Sequence, residues 1–328
     1  MIKWIPYELH CHTNHSDGAQ SLSELGENAR TIGFGGIALT DHNTISAFDD
    51  IGSVKENSNI NIINGLEWTT FYGHVLLLGA YKYFDWRGLK PNNLDEKLVE
   101  PRAEGVLIGL AHPFRVGNPI NTGCFMEYAI NDWRNIDYIE VWSGTSPGNK
   151  YENKRAFELW TKRLNEGYRI SAVSGRDWHR YEETTNLISS TYIGIDNDEE
   201  NNNEAVLKAI RKGRLVVSSS MLLEMSITDN KNTWNIGDIV QCDNNPLKVN
   251  IDISRGKINN NYVINEGVLS VKIMSNKGCI KEIEHTNDTI NIEIDNRLND
   301  LQWVRTELYR EINNVVEFIG FTNPIYFK

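Results

Sequence analysis

The sequence predicts an α/β unit over residues 1–217 followed by a small all-β sandwich over residues 218–328. Three observations predict this. Short apolar runs alternate with amphipathic stretches in the first part; the helical period then disappears; and histidines and carboxylates stand where the early apolar runs end.

The first part builds as follows. Runs at 7–12, 36–40, 61–67, 74–79, 106–111, 138–142 and 170–174 read as strands, several of them apolar enough to be buried on both faces. Ser21-Leu22-Ser23-Glu24 is a capping box that opens a helix ending near Gly33. Residues 149–166 carry Tyr151, Phe157, Leu159, Trp160 and Leu164 at helical spacing, and Gly167 closes the stretch. Residues 203–212 form a further helix before a glycine. Such alternation predicts a mainly parallel sheet that could close into a barrel. One connection breaks the scheme. Glu67 and His74 are too close in sequence for a crossover helix, so this segment is a hairpin and one strand pair is antiparallel.

Beyond residue 218, runs at 222–227, 247–253, 268–274, 280–284, 289–294, 303–309 and 315–319 read as short strands between Asn-, Asp- and Gly-rich turns. That is a sandwich pattern. The asparagine clusters at 201–203 and 259–261 are loops, and no internal repeat occurs.

A formal net charge of -11 argues against a general binder of extended nucleic acid or anionic membrane. No run of about 18 apolar residues occurs. The N-terminus lacks the order of a signal peptide, so cytoplasm is the expected compartment. Cys11, Cys124, Cys242 and Cys279 are widely spaced without a CxxC pair, which fits reduced thiols.

The chemistry concentrates in the first part, where seven of the eight histidines lie within residues 1–179; only His285 stands in the tail. His10 and His12 share one face of a strand, and Cys11 points the other way. Asp17 follows. Asp41-His42 comes after one apolar run, Glu67 ends the next, and His74 opens another. His112 follows Ala111 and precedes Pro113, and Asp177 and His179 follow Gly175. A single buried histidine is ordinarily a hydrogen-bonded core residue. Six histidines and three carboxylates at successive strand ends are different, because desolvating so many polar groups without a metal is costly. The set reads as a divalent-metal centre with mixed nitrogen and oxygen ligands.

His10-x-His12 with Ser16-Asp17-Gly18, Thr40-Asp41-His42, Gly65-Leu66-Glu67, Gly73-His74, Ala111-His112-Pro113 and Asp177-x-His179 together resemble the PHP (polymerase and histidinol phosphatase) superfamily over about residues 7–217. The wording from Gly65 to Gly79, with Glu140-Val141-Trp142, resembles the branch that includes carbaryl hydrolase. The segment from Trp303 to Tyr326 is similar to the C-terminal β-region of such proteins. The resemblance implies a distorted (β/α)7 barrel with two or three zinc, manganese or iron ions. It assigns His10, His12, Glu67 and Asp177 to one ion. Glu67, His74 and His112 fall to a second, and Asp17, His42 and His179 to a third. It also implies hydrolysis of a small phosphoester by a metal-bridging hydroxide. Carbamate or carboxylic ester hydrolysis at the same cluster, and a catalytically silent binding module, are the alternatives.

Around this set, Arg115 and Arg176 could grip a phosphate or carboxylate, or make ion pairs that orient ligands. Asp41 is expected to orient a ligand histidine. His15 reads as loop or rim. Glu140 lines the pocket or pairs with a cation. Trp68, Tyr72, Trp142 and Trp178 could stack on a base or aryl group, or simply pack.

Overall fold

A computed structural model describes the chain except residues 1, 118–122, 185, 220, 230, 242–245, 259–266, 285–288 and 295–300. His285, Cys242 and the asparagines at 259–261 therefore lie outside the described residues.

The first strand, β1 (Ile2–Cys11), is ten residues long and almost wholly buried. Helix α1 (Leu22–Ile32) follows. Its capping box is present, with the Ser21 side chain accepting from Glu24 N and the Glu24 side chain from the Ser21 backbone. Gly33, at φ 104, ends it in the left-handed region that glycine tolerates best. Then come β2 (Gly36–Leu39), α2 (Ile51–Ser58), β3 (Asn61–Thr70) and β4 (Gly73–Leu78). The short helices α3 (Leu94–Lys97) and α4 (Val99–Ala103) lead to β5 (Leu107–Leu110) and β6 (Tyr138–Ser143). Helix α5 (Tyr151–Asn165) precedes β7 (Ser171–Gly175) and β8 (Ser190–Asp196), and α6 (Asn203–Lys212) precedes β9 (Leu215–Ser218).

Strands β1 to β7 are neighbours in sequence order. The β1–β2, β2–β3, β5–β6 and β6–β7 pairs are parallel; β3–β4 and β4–β5 are antiparallel. The segment just after β7 returns to β1, where Cys11 bridges Trp178 in parallel sense. A regular (β/α)7 repeat is not realised. Only Phe71 and Tyr72 separate β3 from β4, which leaves room for a turn and no helix. The β5–β6 connection carries a 3-10 turn at Trp133–Asn135, and no helix separates β7 from β8 among the described residues. The result is a mixed α/β sheet that curls back on itself.

Strands β8 and β9 escape the sequence pattern, as do α2 to α4. Strand β8 reads Ser-Thr-Tyr-Ile-Gly-Ile-Asp, small and polar at one end, yet it pairs with β1 over six positions.

The C-terminal region is all β. It comprises β10 (Met221–Thr228), β11 (Thr233–Asn235), β12 (Ile239–Val240), β13 (Leu247–Arg255), β14 (Val268–Ser275), β15 (Gly278–Glu284), β16 (Thr289–Ile294), β17 (Trp303–Ile312), β18 (Val315–Thr322) and β19 (Ile325–Phe327). One sheet runs β11-β10-β13-β16. Its buried Leu223, Met225, Val249 and Ile251 pack against Val271, Ile273, Leu308 and Ile319 of the other sheet. This is the alternating inward face of a two-layer β structure. That second sheet is continuous with the first region, because β18 pairs with β9. Helix α5 lies at the junction, with Trp160 and Phe157 against Phe321 and Phe318.

Candidate metal centre

The nine side chains come from segments that the fold forces together. His10 and Glu67 sit on β1 and β3, and His74 opens β4. The hairpin puts His74 Nδ1 3.0 Å from Glu67 Oε1. His42, just past β2, bridges to Glu67 in parallel sense. Trp178 N donates to His10 O and His12 N donates to Trp178 O, which brings Asp177 beside both histidines. Two of the nine, His112 at φ 25 and Asp177 at φ 57, have the left-handed backbone that non-glycine residues rarely adopt. Such strain costs of order 1–3 kcal/mol and persists where the surroundings impose it.

Glu67 is the hub. Its Oε2 lies 2.7 Å from His42 Nδ1 and 3.3 Å from His10 Nε2; its Oε1 also lies 3.5 Å from His112 Nε2. Asp177 Oδ1 lies 2.9 Å from His12 Nε2 and 3.3 Å from His10 Nε2. Asp17 Oδ1 lies 3.0 Å from His179 Nε2 and 3.4 Å from His42 Nε2. Three overlapping groups result, each with one donor atom per residue and all such atoms within 4.8 Å. They are His10, His12, Glu67 and Asp177; Glu67, His74 and His112; and His12, Asp17, His42 and His179. Only the place of His12 in the last group departs from the sequence-based partition.

The donor atoms fit a cation better than they fit one another. His10 Nε2, both ring nitrogens of His12 and His112, His74 Nε2, Glu67 Oε2 and Asp177 Oδ1 are buried. None has a hydrogen-bond partner among the described residues, although several face each other at ion-pair distance. A buried polar atom left unpaired costs about 1–3 kcal/mol, and a shared cation would satisfy the whole set.

The electrostatics agree. Burial works against a charged His10, but the carboxylates of Glu67, Glu140 and Asp177 outweigh it and raise its pKa well above 6.5. His42 goes up to about 10, with Glu67 and Asp17 overcoming its burial. Burial dominates at His12, which drops to about 4. Despite burial, the surrounding imidazoles hold Glu67 and Asp177 well below the usual carboxylate range. Protons stand in this cluster where cations would compete for the same atoms.

The supporting residues differ in part from expectation. Asp41 orients no histidine ring: it accepts from Thr13 N at 2.8 Å, Thr13 Oγ1 at 2.7 Å and Ser16 Oγ at 2.6 Å, clamping the turn that carries Asp17. Glu140 takes the histidine-orienting role, with Oε2 2.7 Å from His10 Nδ1 and both residues buried. The available signal was an isolated charge in an otherwise buried strand, Tyr-Ile-Glu-Val-Trp-Ser. Arg115 reaches Asp177 and Ser143 Oγ. Arg176 instead pairs with Glu8 at 2.9 Å and lies over the Trp178 ring. Glu8 shares the face of His10 and His12 by strand alternation, so that partner was legible too. Trp68 and Trp142 are buried in the core, and Tyr72 is partly buried against it. His15 Nδ1 meets Ser46 Oγ at the rim.

The PHP domain profile matches residues 8–225, about two thirds of the chain. The chain belongs to the PHP domain family. Relatives include the 5'-3' exoribonuclease of Haemophilus influenzae, 39% identical over 64 residues, covering 20% of this chain and 23% of that protein. The DNA polymerase III PolC-type of Staphylococcus saprophyticus is 35% identical over 117 residues, covering 33% of this chain and 8% of that protein. The chain thus spans less than a quarter of the length of these curated relatives. Among solved structures, a two-domain protein of Bacteroides vulgatus containing a predicted PHP-like metal-dependent phosphoesterase superposes with a TM-score of 0.53. The two are 15% identical, and the match covers 99% of this chain and 96% of that one, so the likeness of fold extends through the β region.

Proposed function

We propose that the protein is a phosphoesterase acting on a small phosphoester, with residues 1–217 as the catalytic unit, a distorted barrel, and residues 218–328 as a supporting β unit. The observation that carries this is the convergence of nine nitrogen and oxygen donors into three overlapping groups around Glu67. His10, His12, Glu67 and Asp177 would hold one ion; Glu67, His74 and His112 a second; Asp17, His42 and His179 a third. Zinc, manganese or iron suits such mixed donors. Divalent ions, when bound, lower the pKa of water and neutralise charge that develops on a phosphoryl group. The chain's own residues supply the rest. Glu67 presents its two oxygens to two donor groups at once. Glu140 fixes the ring of His10, and Asp41 fixes the turn of Asp17. Arg115, beside Asp177, is aimed to contact an anionic group on the substrate. The net charge of -11 favours a small substrate over an extended nucleic acid, and the cytoplasm is the compartment proposed.

The test compares aryl phosphomonoesters, phosphodiesters, nucleotides and aryl carbamates side by side, with metal analysis of protein prepared without chelators. Turnover of phosphoesters is expected. Turnover of carbamates alone would overturn the reading in favour of the carbaryl-hydrolase-like alternative. His10→Ala is expected to lose metal and activity together; full activity in that variant would refute the ligand set.

A further inference from the structure

Next to the donor cluster, the fold brings two cations to one residue. The guanidinium of Arg115 contacts the Ser143 hydroxyl as well as Asp177. On the other side of Ser143, Lys150 Nζ donates to the Ser143 carbonyl at 3.3 Å. Gly144 makes this approach possible. A Cβ there would stand 2.3 Å from Lys150 Nζ, and its φ of 74 favours glycine. Lys150 is half-buried, and no carboxylate comes within ion-pair range of it among the described residues. Burial and the Arg115 charge push its pKa down, while Glu152 and Glu140 act more weakly in the other direction.

Like charges held together in a partly desolvated place destabilise each other unless an anion lies between them. The carboxylate nearest to Arg115 is Asp177, one of the proposed ligands, whose charge a bound ion would claim. What remains is a pair of cations beside the reaction centre. One is a planar fork and the other a point charge, the combination that grips a tetrahedral oxyanion.

We infer that Arg115 and Lys150 form a cradle for the phosphoryl group of the substrate, and that Lys150 gives the site its preference for doubly charged phosphomonoesters over diesters and neutral esters. This rests on the phosphoesterase reading but is tested apart from it. Inorganic phosphate is titrated calorimetrically into metal-loaded protein, either wild type, Lys150→Gln or Lys150→Arg. Glutamine keeps an N–H for the Ser143 carbonyl and removes the charge, so a merely structural lysine is rescued by it. The expected result is a roughly 10- to 100-fold weaker phosphate Kd in Lys150→Gln, with metal content and melting temperature retained, and recovery in Lys150→Arg. Should glutamine fail to fold, Lys150→Arg together with the ionic-strength dependence of phosphate binding carries the test. In that case a lost affinity in folded Lys150→Arg, or a shallow salt dependence of phosphate binding, overturns the inference. An unchanged phosphate Kd in folded Lys150→Gln overturns the cradle, even if the enzyme hydrolyses phosphoesters. Lys150-dependent phosphate binding without phosphoester turnover supports the cradle and overturns the proposed activity.

Discussion

Replacing Glu140 by glutamine perturbs the centre without touching a proposed ligand atom. Glu140 Oε2 lies 2.7 Å from His10 Nδ1 in a fully buried pair. That contact puts the ring proton on Nδ1 and leaves Nε2 as the donor facing Glu67 and Asp177. Glutamine keeps the shape and an accepting oxygen, so the lost quantity is the charge. A hydrogen bond to an ionised partner contributes about 1.5–3 kcal/mol, a neutral one about 0.5–1.5. The difference is about 1–1.5 kcal/mol, roughly a 5- to 12-fold loss of metal affinity. This falls near the lower end of the roughly 10- to 100-fold seen when outer partners of metal-binding histidines are removed.

A second effect opposes it. Glu140 is one of three carboxylates that hold His10 protonated, so its neutralisation also weakens the proton as a competitor. The penalty is therefore smaller below the raised pKa of His10 and fuller above it. Competition against a chelator on either side of that pKa, read by metal analysis, measures both effects. Equal affinity of wild type and Glu140→Gln on both sides would refute the orienting role.

Three further outcomes follow from the same geometry. In chelator-treated protein, the raised pKa of His42 contributes stability that is complete below about 6.5 and lost as pH rises through about 10. The melting temperature should fall across that window, and a flat profile would contradict the charge pairing with Glu67 and Asp17. Arg176→Ala leaves the buried Glu8 carboxylate without its partner, so a loss of about 3–5 kcal/mol is expected in chemical denaturation. A raised KM with unchanged stability would instead restore Arg176 as a substrate clamp. Asn323 is fully buried, with Oδ1 accepting from Ala172 N and Nδ2 donating to Ala172 O, both at 2.8 Å. Asn323→Ala strands both groups of β7, for about 2–5 kcal/mol. Stability unchanged on denaturation would show that the β region does not brace that strand.

The nine candidate donors, which the structure brings within reach of one another, could be singled out in the sequence because strand ends place histidines and carboxylates at readable intervals. His10, His12, Glu67 and His74 needed only the period of two and the shortness of one turn. Roles that depend on what lies across space were less legible. Asp41 stands beside His42 in sequence, yet its carboxylate turns to the 13–16 backbone and hydroxyls. Glu140 and His10 are 130 residues apart, so no local pattern joins them. Strand β8 was hidden because its ladder to β1, rather than its own composition, makes it a strand. The continuity of the two regions through β9 and β18 was hidden for the same reason.

Closure of the sheet and assembly of the centre depend on the same residue. After β7 the chain must turn sharply for Trp178 to donate to His10 O, and the left-handed backbone of Asp177 makes that turn. Aspartate tolerates this conformation better than most non-glycine residues. Glycine would make the turn at less cost but would bring no carboxylate, and an ordinary backbone would carry the carboxylate away from His10 and His12. The strain at Asp177 is thus held by the Trp178 bridge to β1 on one side and by Arg115 on the other. An ion bound by His10, His12 and Asp177 would tighten the contact that closes the sheet, so metal affinity and the stability of β7 against β1 should rise and fall together.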